Sequence, residues 1–155
     1  MLEAVRTKLA EVLAAKAELH DDLVVVSGLR LGAEVLGAEA AVEQGLDLVV
    51  VLPYPEPHRV WPAASQARFE HLVDRARDVI TLQRKAPDSK QKAAAALRRR
   101  DGWLARFCDE AVVVWDGEDD VVGRLVRSLE DHLGEDVWII DPAELTLPPS
   151  ARTER

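Results

Sequence analysis

Apolar residues follow two alternating spacings along the chain. Residues 2–19 set Leu2, Val5, Leu9, Val12 and Leu13 three or four positions apart, which predicts an amphipathic helix. After Asp21 and Asp22 comes the continuous apolar run Leu23–Val26, bounded by Ser27 and Gly28, which predicts a short buried strand. The alternation repeats. A helix is predicted over 31–44, closed by Gly45, and a strand over Leu46–Leu52. A loop with Pro53, Pro55, Pro57 and Pro62 follows, then a helix over 63–77 through Phe69, Leu72 and Val73. Val79–Leu82 reads as a weaker strand and 88–107 as a helix that Gly102 weakens. Ala111–Trp115 reads as a strand with Asp116-Gly117 as its turn, 119–133 as a helix capped by Gly134, and Val137–Ile140 as a last strand.

Strands alternating with helices predict an α/β fold with parallel pairing and right-handed crossovers. Strands apolar throughout predict helices on both faces. The expected architecture is one three-layer, Rossmann-like domain over 1–145. Its mostly parallel sheet has about five strands, and a polar tail at 146–155 is predicted to fray. In such sheets ligands bind outside the carboxyl ends of the strands. The loops starting at Ser27, Pro53, Gln83 and Asp116 are therefore where chemistry is expected.

Composition narrows the partners. The 155 residues are 48% hydrophobic and 31% charged, with a formal net charge of −8. That balance argues against nucleic-acid binding, which draws its affinity from a basic surface. The single cysteine, Cys108, rules out a disulfide framework within the chain. No apolar run reaches the ~18 residues that span a bilayer, and the helix bearing Glu3 and Arg6 does not read as a signal peptide. A cytoplasmic protein without a membrane partner is expected. His20, His58, His71 and His132 show no metal-ligand spacing, so neither a metal nor a cofactor is expected.

The first loop reads Ser27-Gly28-Leu29-Arg30-Leu31-Gly32-Ala33-Glu34. Gly28 suits a sharp turn off the strand, and Gly32 suits a close approach to the helix start. Free N–H groups at that start favour a phosphate or carboxylate. The G-x-x-x-G spacing fits neither the dinucleotide fingerprint nor a Walker loop, so a plain tight turn and an anion cradle both stand. Glu34 suits either the helix dipole or a ribose hydroxyl. In the second loop Trp61 suits either base stacking or cover for the core edge, and the loop's length suits a lid. Of Arg98, Arg99 and Arg100, only one or two can face one site, because successive helical positions diverge.

In this order, Ser27-Gly28…Gly32-Ala33-Glu34, Pro53-Tyr54…Trp61, Arg100-Asp101…Trp103 and Asp116-Gly117 resemble the YpsA-like family of the SLOG superfamily of Rossmann-like proteins, over roughly residues 5–145. The resemblance implies a nucleotide-derived ligand held between the glycine turn and the later strand ends. Gly28 and Gly32 match the phosphate-side glycines, Glu34 the acidic position after them, Pro53 and Trp61 a Pro-aromatic…Trp segment, and Arg100 the arginine of an Arg-Asn pair. The chain also departs from that pattern. Asp101 replaces the Asn, turning a donor amide into an acceptor. Glu118-Asp119-Asp120 replaces a Gly-Thr turn, bringing carboxylates that repel an anion unless they cap the helix. The Pro-Gly-Gly-x-Gly-Thr-x-x-Glu segment of the related phosphoribohydrolases is absent. Relatives also begin with a strand ahead of the first helix, and this chain begins within that helix.

The function expected is binding of a nucleotide or nucleotide-derived small molecule, as a sensor or regulatory module. The alternative is a hydrolase cleaving an N-glycosidic or phosphate bond in such a ligand, with Glu34 or Asp101 as the polar catalyst. The expected ligand site comprises Ser27, Gly28, Leu29, Arg30, Gly32, Ala33, Glu34, Pro53, Trp61, Arg100, Asp101, Asp116 and Gly117. A sheet short of one strand leaves either an open edge or a gap, and the apolar stripe of the first helix loses cover. Both point to a homodimer or larger assembly. The competing reading is that strand 22–26 pairs directly with strand 111–115 and closes the sheet in a monomer.

Overall fold

A computed structural model describes residues 2–146. The elements run α1 (Leu2–Leu19), β1 (Val24–Ser27), α2 (Ala33–Glu43), β2 (Asp47–Leu52), α3 (Ala63–Arg75), β3 (Asp78–Thr81), α4 (Lys90–Phe107), β4 (Ala111–Val114), α5 (Asp120–Leu133), β5 (Val137–Ile140) and α6 (Pro142–Leu145). The Rossmann-like α/β alternation is therefore present, with element ends within a few residues of those the spacing predicts. The polar tail falls outside the described residues from position 147 onward.

Every strand pair is parallel, but the five strands form two sheets, ordered β1-β2-β3 and β4-β5. The single continuous sheet expected from the pattern is thus divided. Among the described residues, no ladder joins β1 to β4, so direct closure between strands 22–26 and 111–115 does not occur. The division shows in the burial. β2 has a neighbour on each side and buries every residue from Leu48 to Leu52. β1 and β4 are just as apolar, yet each has three of its four residues only half-buried. β3, the outer strand, is exposed at every position.

Side-chain alternation assigns the helices to layers. Leu48, Val50 and Leu52 pack with Val35 and Ala38 of α2 and with Phe69 and Leu72 of α3. On the second sheet Val112, Val114 and Ile140 meet Val5 and Leu9 of α1 and Leu36 of α2, whereas Val113 meets Ala105 of α4 and Val126 and Leu129 of α5. So α1, α2 and α3 form one layer, and α4 and α5 cover the opposite face of β4-β5.

α1 bridges the two sheets. Val5, Leu9 and Leu13 are all buried, stepping four residues at a time along one face. Leu13 seats on Ala40 and Ala41 of α2, whose small side chains allow close approach. The stripe is thus covered within the chain, by α2 and β4-β5, and needs no second copy for that purpose. Arg6 pairs with Glu39 and Glu43 along the same seam, and Lys16 donates to Glu110, just ahead of β4, at 3.0 Å.

Truncating Leu9, which is 6% exposed, removes contacts to α2 and to β4-β5 at once. Leu9→Ala is expected to lower the unfolding free energy by about 2–4 kcal/mol. Leu19→Ala, at a position 78% exposed, should stay within about 0.5 kcal/mol of the parent. Urea denaturation of the two variants checks this; equal losses would show that α1 does not tie the sheets together.

Candidate functional site

The loop after β1 is built around three local constraints. The Ser27 hydroxyl donates to the Glu34 carbonyl at 2.9 Å and accepts from the Leu29 N–H at 3.1 Å, stapling the loop across the strand-to-helix turn. Leu29 sits in the left-handed region at φ 54° with its side chain 1% exposed. Burial in the β2/α3 cluster offsets that backbone cost. Gly32 adopts φ 101° and ψ −129° at the N-cap of α2, a conformation only glycine takes readily. No side chain caps that helix, and a Cβ at Gly32 would meet nothing within 4 Å. Gly32 is therefore needed for its conformation, and the space beside the α2 N-terminus is open.

Gly28 is needed for a different reason. A Cβ there would lie 2.5 Å from Arg100 Nη1 and 2.6 Å from Glu34 Oε1. Arg100 reaches this loop from α4 and is 1% exposed. Its Nη1 donates to the Gly28 carbonyl at 3.1 Å and its Nη2 to Asp101 Oδ1 at 2.9 Å, with Glu34 Oε2 at 3.5 Å. Arg30 closes the group: its Nη2 lies 3.5 Å from Asp101 Oδ2 and its Nε 3.8 Å from Glu34 Oε2. Two guanidinium groups and two carboxylates thus alternate beside the helix start. Arg30, Glu34 and Asp101 keep 31%, 28% and 18% of their side-chain surface exposed. Arg100 Nε is buried without a protein partner.

Ser27, Gly28, Leu29, Arg30, Gly32, Ala33, Glu34, Arg100 and Asp101 therefore share one neighbourhood, at the carboxyl end of a parallel strand. The other predicted residues serve elsewhere. Pro53 is fully buried where β2 ends. Trp61 packs edge-on against Phe69, ring centroids 5.5 Å apart, as part of the core boundary; base stacking is the reading that geometry disfavours. The proline loop is not a free lid either. His58 stacks on Phe69 at 3.9 Å, and Gln66 of α3 donates to the carbonyls of Arg59 and Trp61.

Asp116 and Gly117 build a separate, self-contained turn. Asp116 Oδ1 accepts the N–H groups of Glu118 and Asp119 at 2.8 and 2.9 Å, and Gly117 takes φ 85°. Asp119 then caps α5 by accepting from Val121 and Val122. The carboxylates that replace the expected Gly-Thr turn thus occupy the N–H groups that a phosphate would use. Among the described residues, no hydrogen bond or ion pair connects this turn to the Arg100 group.

Sequence reasoning placed Arg30 in the ligand site, but its part in the ion-pair ring with Glu34 and Asp101 has no local signal. The burial of Arg100 did have a signal: Ala96 and Arg100 lie four apart on the buried face of α4. Among the described residues no cluster of His, Cys, Asp and Glu could hold a metal, and no helix is long and apolar enough to cross a membrane. Burial, and secondarily the charge of Asp109, push the Cys108 thiol above its ordinary value. It stays protonated at neutral pH and makes a poor nucleophile.

No family model matches this chain, and no curated protein matches it. Among the solved structures that align is an (E)-4-hydroxy-3-methyl-but-2-enyl diphosphate reductase, at 13% identity with a TM-score of 0.29. The alignment covers 96% of this chain and 54% of that one, so the chain spans about half the reductase's length. A likeness at that level carries no argument about this protein.

Removing Arg100 leaves two carboxylates and a carbonyl without their shared donor. Arg100→Ala is expected to cost about 3 kcal/mol or more, and Arg100→Lys to recover only part, because an ammonium lacks the planar fork. Arg98→Ala, at an exposed position, should be near neutral. Chemical denaturation distinguishes them, and comparable small losses at both positions would refute the structural role of Arg100.

A pH dependence follows from Asp116. Hydrogen bonds from the Asp119 and Glu118 N–H groups hold its carboxyl below the ordinary value. Its contribution is complete above the unfolded-state value and is lost as the pH falls through the lower folded-state value. Asp116→Asn should weaken protection of the Glu118 and Asp119 amides at neutral pH and remove their acid sensitivity in that range. Unchanged acid sensitivity in the variant would assign it to another group.

Proposed function

We propose that this protein binds a nucleotide-derived small molecule in the cytoplasm, at the carboxyl end of β1, and works as a sensor or regulatory module. The observation that carries the reading is the pairing of an uncapped, open α2 N-terminus with the Arg30–Glu34–Arg100–Asp101 ring beside it. A helix start with free N–H groups and a positive dipole end accepts a phosphate or another anion. Half-exposed carboxylates fixed by guanidinium partners accept hydroxyl or amino donors without moving, which suits a ribose or a base edge. Together they make a site with an acceptor side and a donor side, within the reach of one nucleotide. The resemblance to YpsA-like SLOG proteins supports the same ligand class.

The division between the sheets supports the location. β1 is the end strand of β1-β2-β3, and among the described residues the next parallel pair, β4-β5, forms apart from it. Open α/β sheets place their ligand crevices at such points.

Ala33→Asp tests the anion half of the site without the backbone strain that a change at Gly32 introduces. An aspartate in the first turn complements the helix dipole by about 0.3–1 kcal/mol, so the variant should fold as stably as the parent or more so. Nucleotide binding should fall at least about tenfold, equivalent to about 1.4 kcal/mol. Calorimetric titration of a nucleotide panel against both proteins measures it, and chromatography of the mixtures separates binding from turnover. A nucleotide that binds both proteins equally would place its phosphate elsewhere.

A further inference from the structure

The net charge of −8 averages two unlike regions. Between Gln83 and Phe107 stand eight of the 20 basic residues and only two of the 28 acidic ones, a net of +6, so the rest of the chain carries −14. Arg100 and Asp101 are taken up by the ring beside β1. That leaves seven exposed cations against Asp88. Elsewhere the cations are mostly neutralised: Arg6, Lys16, Arg30, Arg68 and Arg77 each sit against a carboxylate. Among the described residues, Arg84, Lys85, Lys90, Arg98, Arg99 and Arg106 have no ion pair, and Lys92 pairs with Asp88 at 2.9 Å.

The structure gathers these charges on one surface. Lys92, Arg99 and Arg106 repeat every seven residues, two helical turns, so they form a line about 21 Å long on the exposed side of α4. Arg99 Nη1 donates to Gln83 Oε1 at 2.9 Å, and Gln83 Nε2 donates to the Lys85 carbonyl at 2.8 Å. The neutral glutamine leaves the guanidinium charge uncompensated and folds the loop of Arg84 and Lys85 against the helix. An aromatic pair borders the line. Trp103 lies one turn past Arg99 and stacks on Phe107, ring centroids 4.7 Å apart, and Phe107 is 67% exposed.

We infer that the outer face of α4, with the loop before it, binds single-stranded nucleic acid. Unpaired cations in a line suit a phosphate backbone, and an exposed aromatic face suits an unstacked base; single-strand sites combine these two features. A duplex would leave the aromatic pair unused, because its bases are stacked and paired. A bilayer fits less well, because an interfacial helix inserts an apolar face, and on α4 the face with Ala96 and Ala105 is buried within the protein. The −14 of the remaining chain repels a polyanion and so confines it to this face. The surface is distinct from the small-molecule site and stands independently of it.

Fluorescence anisotropy of labelled oligonucleotides of about twelve residues, within the range of known single-strand site sizes, tests this with the whole chain. Single-stranded DNA and single-stranded RNA are the two principal arms. Binding of either supports the inference, and the difference between them says which strand is the partner. At about 50 mM salt a complex is expected, with log Kd rising about 2–3 per tenfold increase in salt, the slope for three to four phosphate contacts on a single strand. Arg98→Glu and Arg106→Glu should each weaken it about tenfold or more. Arg75→Glu, an equal change of net charge on exposed α3, should leave it within about twofold of the parent. Phe107→Leu keeps apolar bulk but removes the stacking face, and should cost about fivefold or more. Absence of binding in both arms would overturn the inference. So would equal binding of polyglutamate, of vesicles containing anionic lipid or of a duplex, equal losses at Arg75 and Arg106, or an unchanged Kd in Phe107→Leu.

Discussion

The guanidinium of Arg100 is the constraint on which this end of the molecule depends. A fully buried charge is tolerated only when paired and hydrogen-bonded, and Arg100 meets that condition by spanning 72 residues to the Gly28 carbonyl while holding Asp101 and Glu34. Gly28 lacks a side chain because the guanidinium takes its place. Glu34 is held at the first turn of α2 by the same group, and Asp101 is shared with Arg30. One side chain from α4 therefore fixes the turn, the helix start and both carboxylates. The rigidity of this strand-to-helix turn comes from a single long-range contact.

Local chemistry made most of the architecture legible. Segments of four to seven mostly apolar residues, separated by helical spacing, give the five strands and their parallel pairing because those signals are written within each segment. Val137–Ile140 and Leu2–Leu19 came out with their observed bounds for that reason. The division of the sheet was harder to read. Whether β1 meets β4 depends on what lies between them in space, and no local pattern of either strand records it.

The candidate site shows the same contrast. Ser27, Gly28, Gly32 and Glu34 were legible as a loop because glycine and first-turn acids have positional meaning. Their individual roles were not, since the neighbour that requires Gly28 arrives from α4. Trp61 illustrates the reverse case. An aromatic residue in a loop reads equally as ligand contact or core cover, and it takes the second role because Phe69 comes up beneath it from α3. Asp116 and Asp119 spend their acceptor capacity on the backbone of their own turn, which is why a string of acids there is compatible with a stable helix start.

The outer strand β3 presents Val79 and Ile80 to solvent, 42% and 36% exposed, on an edge with unused ladder groups. Such an edge is a template for indiscriminate association between molecules. Arg77 stands at its entrance, bonded to Asp47 of β2 and to Asp78 at 3.3 Å each. Those charges work as a gatekeeper, because a foreign strand extending past Val79 would have to strip them of water. The colloidal behaviour of this protein at high concentration thus rests on a few charged atoms at the end of one short strand.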